Sequence, residues 1–292
     1  MLLKRLSVFP ENTSTVLNQF VIYVSLPALV LLKVPTMTFS SNVLATVIVP
    51  WVLLSVSAVL LIFCAKVFNW KRQTLGALLL IVPLGNTSFL GVPMVRAFYG
   101  EDAVAYALMY DQLGSFLALA IYGSIVLAFF SKQKNQQVSV SSKEVLIRII
   151  TFPPFISLIM ALFLCFVTLP QLYFDTLHPV AMTLVPVVMI AVGFQLSLKL
   201  EPDKISPFII GLSIKMIIAP ALILLFFMAA GLQGIVYQVI VFEAAMPPMI
   251  SAGALAIMAK LSPKLTAAML AYGIILSFVT LPLLYNFQKL IL

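Results

Sequence analysis

Hydrophobic positions along this chain fall in runs of about 20 residues, the length at which a helix crosses the roughly 30 Å hydrocarbon core of a bilayer. Such runs occupy Thr15 to Leu32, Val43 to Phe68, Thr74 to Val95, Ala103 to Phe130, Val145 to Leu169, Leu177 to Leu198, Ile205 to Ala230, Ile235 to Ala259 and Leu265 to Leu284. The pattern predicts an all-α membrane protein of nine spans. Continuous runs, rather than alternating segments of about ten residues, argue for helices and against an outer-membrane type barrel. The longest polar connection, Ser131 to Glu144, leaves no room for a soluble domain, so function is expected in the helices and their turns.

Two of the runs are broken in the middle, by Pro83-Leu-Gly-Asn-Thr-Ser-Phe-Leu-Gly-Val-Pro93 and by Glu243-Ala-Ala-Met-Pro-Pro-Met-Ile-Ser-Ala-Gly253. In lipid every backbone N–H and C=O needs an internal partner, so unwound chain survives only when buried in protein or lining a cavity. Paired breaks in corresponding positions of two halves are how many secondary transporters build a site near the bilayer midplane. The prolines line up the halves here: Pro27 answers Pro186, Pro50 answers Pro220, and Pro93 answers Pro248. The matching spans are five apart, an odd offset, which places the halves in opposite orientation and predicts a five-helix inverted repeat with two broken crossover helices. Residues 1–130 form a first, incomplete repeat of four spans, 131–144 a cytoplasmic connection, and 145–292 a second repeat of five spans within a single membrane domain. The leading span of the second repeat has no counterpart in the first. The first helix of the usual ten is therefore expected to be missing, with Met1 to Leu6 as its cytoplasmic tail.

Composition agrees with a membrane protein: 63% of residues are hydrophobic, 9% are charged and the mean hydropathy is +1.16, whereas soluble domains are about a quarter charged. The net charge of +8 reports topology rather than a ligand. Of the 17 lysines and arginines, Lys33, Arg96 and Lys289 fall on one side of the threaded spans and Lys215 lies within one, leaving the rest on the other side. The positive-inside rule then puts the N-terminus in the cytoplasm and the C-terminus outside, in a cell membrane, with the lipid bilayer and not nucleic acid as the partner. Met1 to Asn12 has no apolar stretch long enough for a cleavable signal peptide, so the first span is expected to start insertion. Cys64 and Cys165 lie within spans and read as small packing residues rather than a disulfide or metal pair.

Polar residues inside the spans are the candidates for chemistry. Asn86, Thr87 and Ser88 sit in the first break, where the freed amides of a starting half-helix suit an anionic oxygen and Asn86 adds a side-chain N–H; the plainer reading is that they only satisfy broken backbone. Glu243 opens the second break, and a carboxylate at that depth marks a proton or sodium path or else pairs with Lys215. Asp111, about 12 Å into its span, reads either as a proton relay or gate or as a hydrogen-bonding cap between crossing helices, with Gln112 beside it. Gln195 is a weaker substrate-binding candidate near a span end. No cofactor or metal site is expected beyond a coupling H+ or Na+: the lone His178, placed at the edge of an outer turn, excludes a His-Glu-x-x-His zinc site, and no Gly-x-Ser-x-Gly elbow occurs, so an enzyme is not expected.

These residues resemble a known family. Gly85-Asn-Thr-Ser-Phe-Leu-Gly-Val-Pro-Met94, Tyr99-Gly100, Tyr110-Asp-Gln-Leu-Gly-Ser115, Phe9-Pro-Glu-Asn12, Leu17-Asn-Gln-Phe-Val-Ile-Tyr-Val-Ser-Leu-Pro-Ala28 and Glu243-Ala-Ala-Met-Pro-Pro248 look like bacterial members of the auxin efflux carrier family, over essentially the whole chain. The resemblance implies a transport domain moving against a scaffold, broken helices crossing at Gly85, Pro93, Pro247 and Pro248, and a substrate carboxylate on Asn86. It implies transport of a small organic anion such as malate, malonate or an auxin-like acid. Related bile acid and sodium symporters use a glutamate of the second broken helix as a sodium ligand. Glu243 matches it in place, but Pro247 and Pro248 stand where those proteins carry amide side chains. A sodium-coupled symporter is thus the first alternative, and a channel or non-transporting scaffold the second. The missing span would belong to the scaffold and to any homodimer contact, leaving the site intact.

Overall fold

The computed structural model describes residues 10, 12–36, 43–130, 143, 146, 147, 150–195 and 204–291. In chain order its helices are α1 (Thr15–Thr36), α2 (Val43–Val67), α3 (Arg72–Ile81), α4 (Val92–Tyr99), α5 (Glu101–Phe130), α6 (Pro153–Leu164), α7 (Gln171–Met182), α8 (Leu184–Gln195), α9 (Ile205–Ala229), α10 (Ile235–Ala244), α11 (Ile250–Met258) and α12 (Pro263–Gln288). No strand forms among the described residues. Helices α1, α2, α5, α9 and α12 are each long and apolar enough to cross a membrane. Their outward positions are apolar as well, among them Val59, Phe63, Phe226 and Val279, and a helix apolar all round is one that lipid surrounds.

The remaining runs are divided. Thr74 to Val95 becomes α3 and α4, and Ile235 to Ala259 becomes α10 and α11, each pair separated by non-helical chain at the expected break. Within the run Leu177 to Leu198 the described residues also form two helices, α7 and α8, parted at Thr183, whose hydroxyl donates back to the Val180 carbonyl at 2.6 Å. His178 is exposed as expected but lies inside α7 rather than at a turn. Of the run Val145 to Leu169, the described helix is α6, with prolines in its first turn where no N–H is needed.

The chain divides into two compact units, one of α1 with α6, α7 and α8, the other of α2 to α5 with α9 to α12. In the first, Ser25 and Thr183 share a hydrogen bond of 2.7 Å and Tyr173 donates to the Leu31 carbonyl at 2.9 Å. Cys64 and Cys165 are both free, and Cys165 donates to the Ala161 carbonyl of its own helix.

In the second unit, Leu78, Leu80, Ile81 and Leu84 pack with Ala252, Ala256 and Met269. Lipid supplies no hydrophobic drive between helices, so small residues that permit close van der Waals contact matter more there than bulk. The contact of α2 with α5 illustrates it: a Cβ added at Gly114 would lie 2.7 Å from Cβ of Pro50. Beside it the Trp51 indole donates to the Leu113 carbonyl at 3.0 Å. That carbonyl lies in a π-helical stretch, Tyr110–Phe116, whose widened turns loosen the regular ladder. Similar five-residue π turns precede three prolines: Val21–Ser25 before Pro27, Thr87–Gly91 before Pro93, and Ile214–Ile218 before Pro220. Proline brings no N–H to the ladder, and a locally widened turn accommodates the carbonyl left behind.

Candidate functional site

Helix α3 stops where Pro83 withdraws its N–H, and α10 stops at Ala244 ahead of Pro247 and Pro248. Neither break satisfies all of its own backbone, and each supplies part of what the other lacks. The Asn86 N–H donates to the Pro247 carbonyl at 2.8 Å and the Met249 N–H to the Leu84 carbonyl at 2.9 Å, so that Gly85 and Pro248 face each other in an antiparallel bridge. An unmade backbone bond in hydrocarbon costs several kcal/mol, which makes the two breaks interdependent. Gly85 allows the close approach: a Cβ there would lie 3.0 Å from Nζ of Lys215 and 3.5 Å from the Glu243 backbone oxygen.

Asn86 is buried at the crossing and its carbonyl accepts from the N–H groups of Leu90, at 3.2 Å, and Gly91, at 2.9 Å. This starts the π turn Thr87–Gly91 that leads into α4. Its side chain does not cap the turn, and Nδ2 is buried without a hydrogen-bond partner. An orphaned donor of this kind costs about 1–3 kcal/mol, and what it lacks is an acceptor.

The neighbouring hydroxyls are engaged. Thr87 and Ser88 each donate to Oδ1 of Asp111 at 2.5 Å, and the Gln112 amide donates to Oδ2 at 2.6 Å. Asp111 is fully buried, reached from α5 through the π-helical stretch that turns both it and Gln112 inward. It therefore pins the first turn after the break to the neighbouring helix. Oε1 of Gln112 is buried without a partner.

Lys215 comes from the π turn of α9 and is 5% exposed. Its ammonium donates to the Ala244 carbonyl at 3.2 Å, at the C-terminal end of α10 where the helix dipole favours a cation. It binds there rather than to the Glu243 carboxylate, both of whose oxygens are buried without a hydrogen-bond partner. That carboxylate lies against Gly91: an added Cβ would be 2.7 Å from Oε1 and 2.8 Å from the carboxyl carbon. A cavity of about 10 Å³, room for roughly one water, adjoins the crossing and is lined by Ser57, Gly85, Tyr110, Ser115 and Lys215 among others.

Thus Gly85, Asn86, Thr87, Ser88, Asp111, Gln112, Lys215, Glu243, Pro247 and Pro248 are all placed at or beside the crossing. Pro93 stands apart from the bridge, in the first turn of α4. Gln195 ends α8 in the other unit, and its side chain lies outside the described residues. Sequence reasoning passed over Gly91, Tyr110, Ser57 and Ser115. Gly91 had a readable signal, a glycine two residues before a proline at membrane depth; the serines had none, since isolated hydroxyls are common in spans. Among the described residues no group of three or more His, Cys, Asp or Glu side chains could hold a metal ion.

Comparison with known proteins adds three findings. The family described as "Membrane transport protein" matches residues 1–285. A protein of Methanocaldococcus jannaschii, described as an uncharacterized transporter, is 27% identical over 274 residues, 91% of this chain and 86% of its own length. Another uncharacterized transporter, from Methanothermobacter thermautotrophicus, is 24% identical over 291 residues, 97% of this chain and 91% of its own length.

Proposed function

The chain belongs to the auxin efflux carrier family of membrane transport proteins, and from that premise we propose that it is a secondary transporter of a small organic anion. The substrate is a carboxylate of the size of malate, malonate or an auxin-like acid, carried across the cell membrane by a five-helix inverted repeat of nine spans with its N-terminus in the cytoplasm. The observation that carries this reading is the orphaned Nδ2 of Asn86 beside the mutual bridge of two broken helices. A carboxylate oxygen is the acceptor that the amide lacks, and the start of a half-helix and the Lys215 ammonium both favour negative charge nearby. Burial of Asn86 to 2% exposure corresponds to a closed state of that site, as alternating access requires.

Counterflow into proteoliposomes tests the proposal with labelled malate, malonate and indole acetate as probes. At least one should exchange saturably, and Asn86→Ala should lower that exchange at least about tenfold, the loss of roughly 1.4 kcal/mol of binding, with unchanged melting temperature. Wild-type exchange in Asn86→Ala would remove the site assignment. An unsaturable, voltage-linear current in place of exchange would replace the carrier by a channel.

A further inference from the structure

Bile acid and sodium symporters place a sodium ion on a glutamate at the position of Glu243, and the surroundings of Glu243 do not fit one. A hard cation is held by a cage of oxygens. Here the carboxylate faces the bare Cα of Gly91, closely enough that a Cβ would overlap it. Positions 247 and 248 are prolines without side-chain oxygens, and the Pro247 carbonyl already accepts the Asn86 N–H. Lys215, a tethered cation, occupies the Ala244 carbonyl at the end of the same helix.

We propose that Glu243 is a proton site: in this closed state its carboxyl is neutral, and the ion coupled to transport is H+ carried on Glu243 rather than Na+. The inference rests on the transporter reading above for the use of the proton, and on geometry for its place. The side chain is 0% exposed with both oxygens unpartnered, an arrangement open to a carboxylic acid and strongly opposed to a carboxylate. It also sits in the last turn of α10, the negative end of the helix dipole, where a carboxylate is disfavoured and an ammonium favoured. The groups that act on it are Asp111 and Tyr110 from α5 and Lys215 from α9. From α4 and α12, Tyr99 packs edge-on against the adjacent Phe242 and against Tyr285 and donates its hydroxyl to Gln288, while Tyr285 packs on Phe98. Gly91 is what admits the acid: the missing Cβ is the space its carboxyl group fills. Opening of the site to water on either side then lets the proton leave and return, with no bond other than O–H made or broken.

Infrared spectra of the full chain in lipid vesicles at neutral pH, in H2O and D2O and without substrate, test this directly. The expected result is a protonated-carboxyl carbonyl band that shifts in D2O, is absent from Glu243→Gln, persists in Asp111→Asn, and is unchanged when sodium replaces potassium. Three results would overturn the proposal: no such band in the wild type, its loss on adding sodium, or a sodium-dependent rise in melting temperature present in the wild type and absent in Glu243→Gln. Glu243→Gln keeps shape and neutrality, so it is expected to fold; should it not, isotope-edited glutamate spectra of the wild type give the same answer. Absence of counterflow for every probe would count against the transporter reading alone and leave the infrared result standing.

Discussion

Asp111 gives the sharpest test of how the first break is held. Replacing it with alanine removes the acceptor of three hydrogen bonds, the buried ones from Thr87 at 2.5 Å and Gln112 at 2.6 Å and the partly buried one from Ser88 at 2.5 Å. Bonds to a charged acceptor contribute about 1.5–3 kcal/mol each, while bonds between helices in membranes average about 0.6 kcal/mol because the unfolded chain in lipid also finds partners. Three bonds at the two limits bracket a loss between about 2 and 9 kcal/mol, and we expect about 3 kcal/mol for Asp111→Ala. Asp111→Asn should cost about 1 kcal/mol or less of this. Its Oδ1 keeps the two hydroxyl donors, and the Gln112 amide can turn over so that Oε1, now without a partner, accepts from the new Nδ2. Unfolding in lipid nanodiscs measures both. A double-mutant cycle with Thr87→Val should show a coupling of about 1 kcal/mol. Equal losses for alanine and asparagine, or strict additivity with Thr87→Val, would refute the pinning role. Loss of transport in a stable Asp111→Asn would show instead that the charge itself is used.

Two further substitutions probe close approaches. Gly91→Ala places a methyl group in the space of the Glu243 carboxyl and should cost about 1–3 kcal/mol as an overpacked site; Gly91→Ala with Glu243→Ala should regain most of that stability, and a double mutant no more stable than Gly91→Ala would show that the overlap is relieved elsewhere. Gly114→Ala drives a methyl into the Pro50 ring and should destabilise by a similar amount while leaving substrate affinity unchanged, measured as KM in counterflow; a raised KM would link the contact of α2 with α5 to binding.

What could be read from the sequence and what could not follow from different physics. Proline and glycine at membrane depth are visible in any apolar run because lipid forgives no unpaired backbone, so the positions of both breaks were legible. Their mutual pairing supplies a reason for two breaks to occur together. The break between α7 and α8 went unread, although Pro186, which brings no N–H to the Met182 carbonyl, follows Thr183 by three residues; there the Thr183 hydroxyl bonds back to the Val180 carbonyl. Partner choice was hidden. For Glu243 the residues alone left open a proton or sodium path or a pair with Lys215, the one base deep in a span. The fold gives the base a carbonyl at a helix end instead, and the acid the space over Gly91. Register inside α5 decides the rest: a π-helical stretch with no sequence signature turns both Asp111 and Gln112 inward.

Hydrogen-bond satisfaction, rather than residue type, then separates the roles at the crossing. Thr87 and Ser88 were natural candidates to bind a carboxylate, but binding one would require them to leave Asp111. That exchange strands a buried charged acceptor, a loss of about 1.5–3 kcal/mol per bond, and a new bond from the same hydroxyl to a substrate carboxylate returns about the same amount. It yields no net affinity. Asn86 Nδ2 has nothing to give up, and Lys215 uses one of its three ammonium donors. Under the proposed function, affinity for an anion would therefore fall to Asn86 and Lys215, while the hydroxyls fix the shape of the turn that presents Asn86. On this argument Ser88→Ala should alter stability more than KM, and Asn86→Ala the reverse, a contrast that counterflow and unfolding measured on the same vesicles resolve.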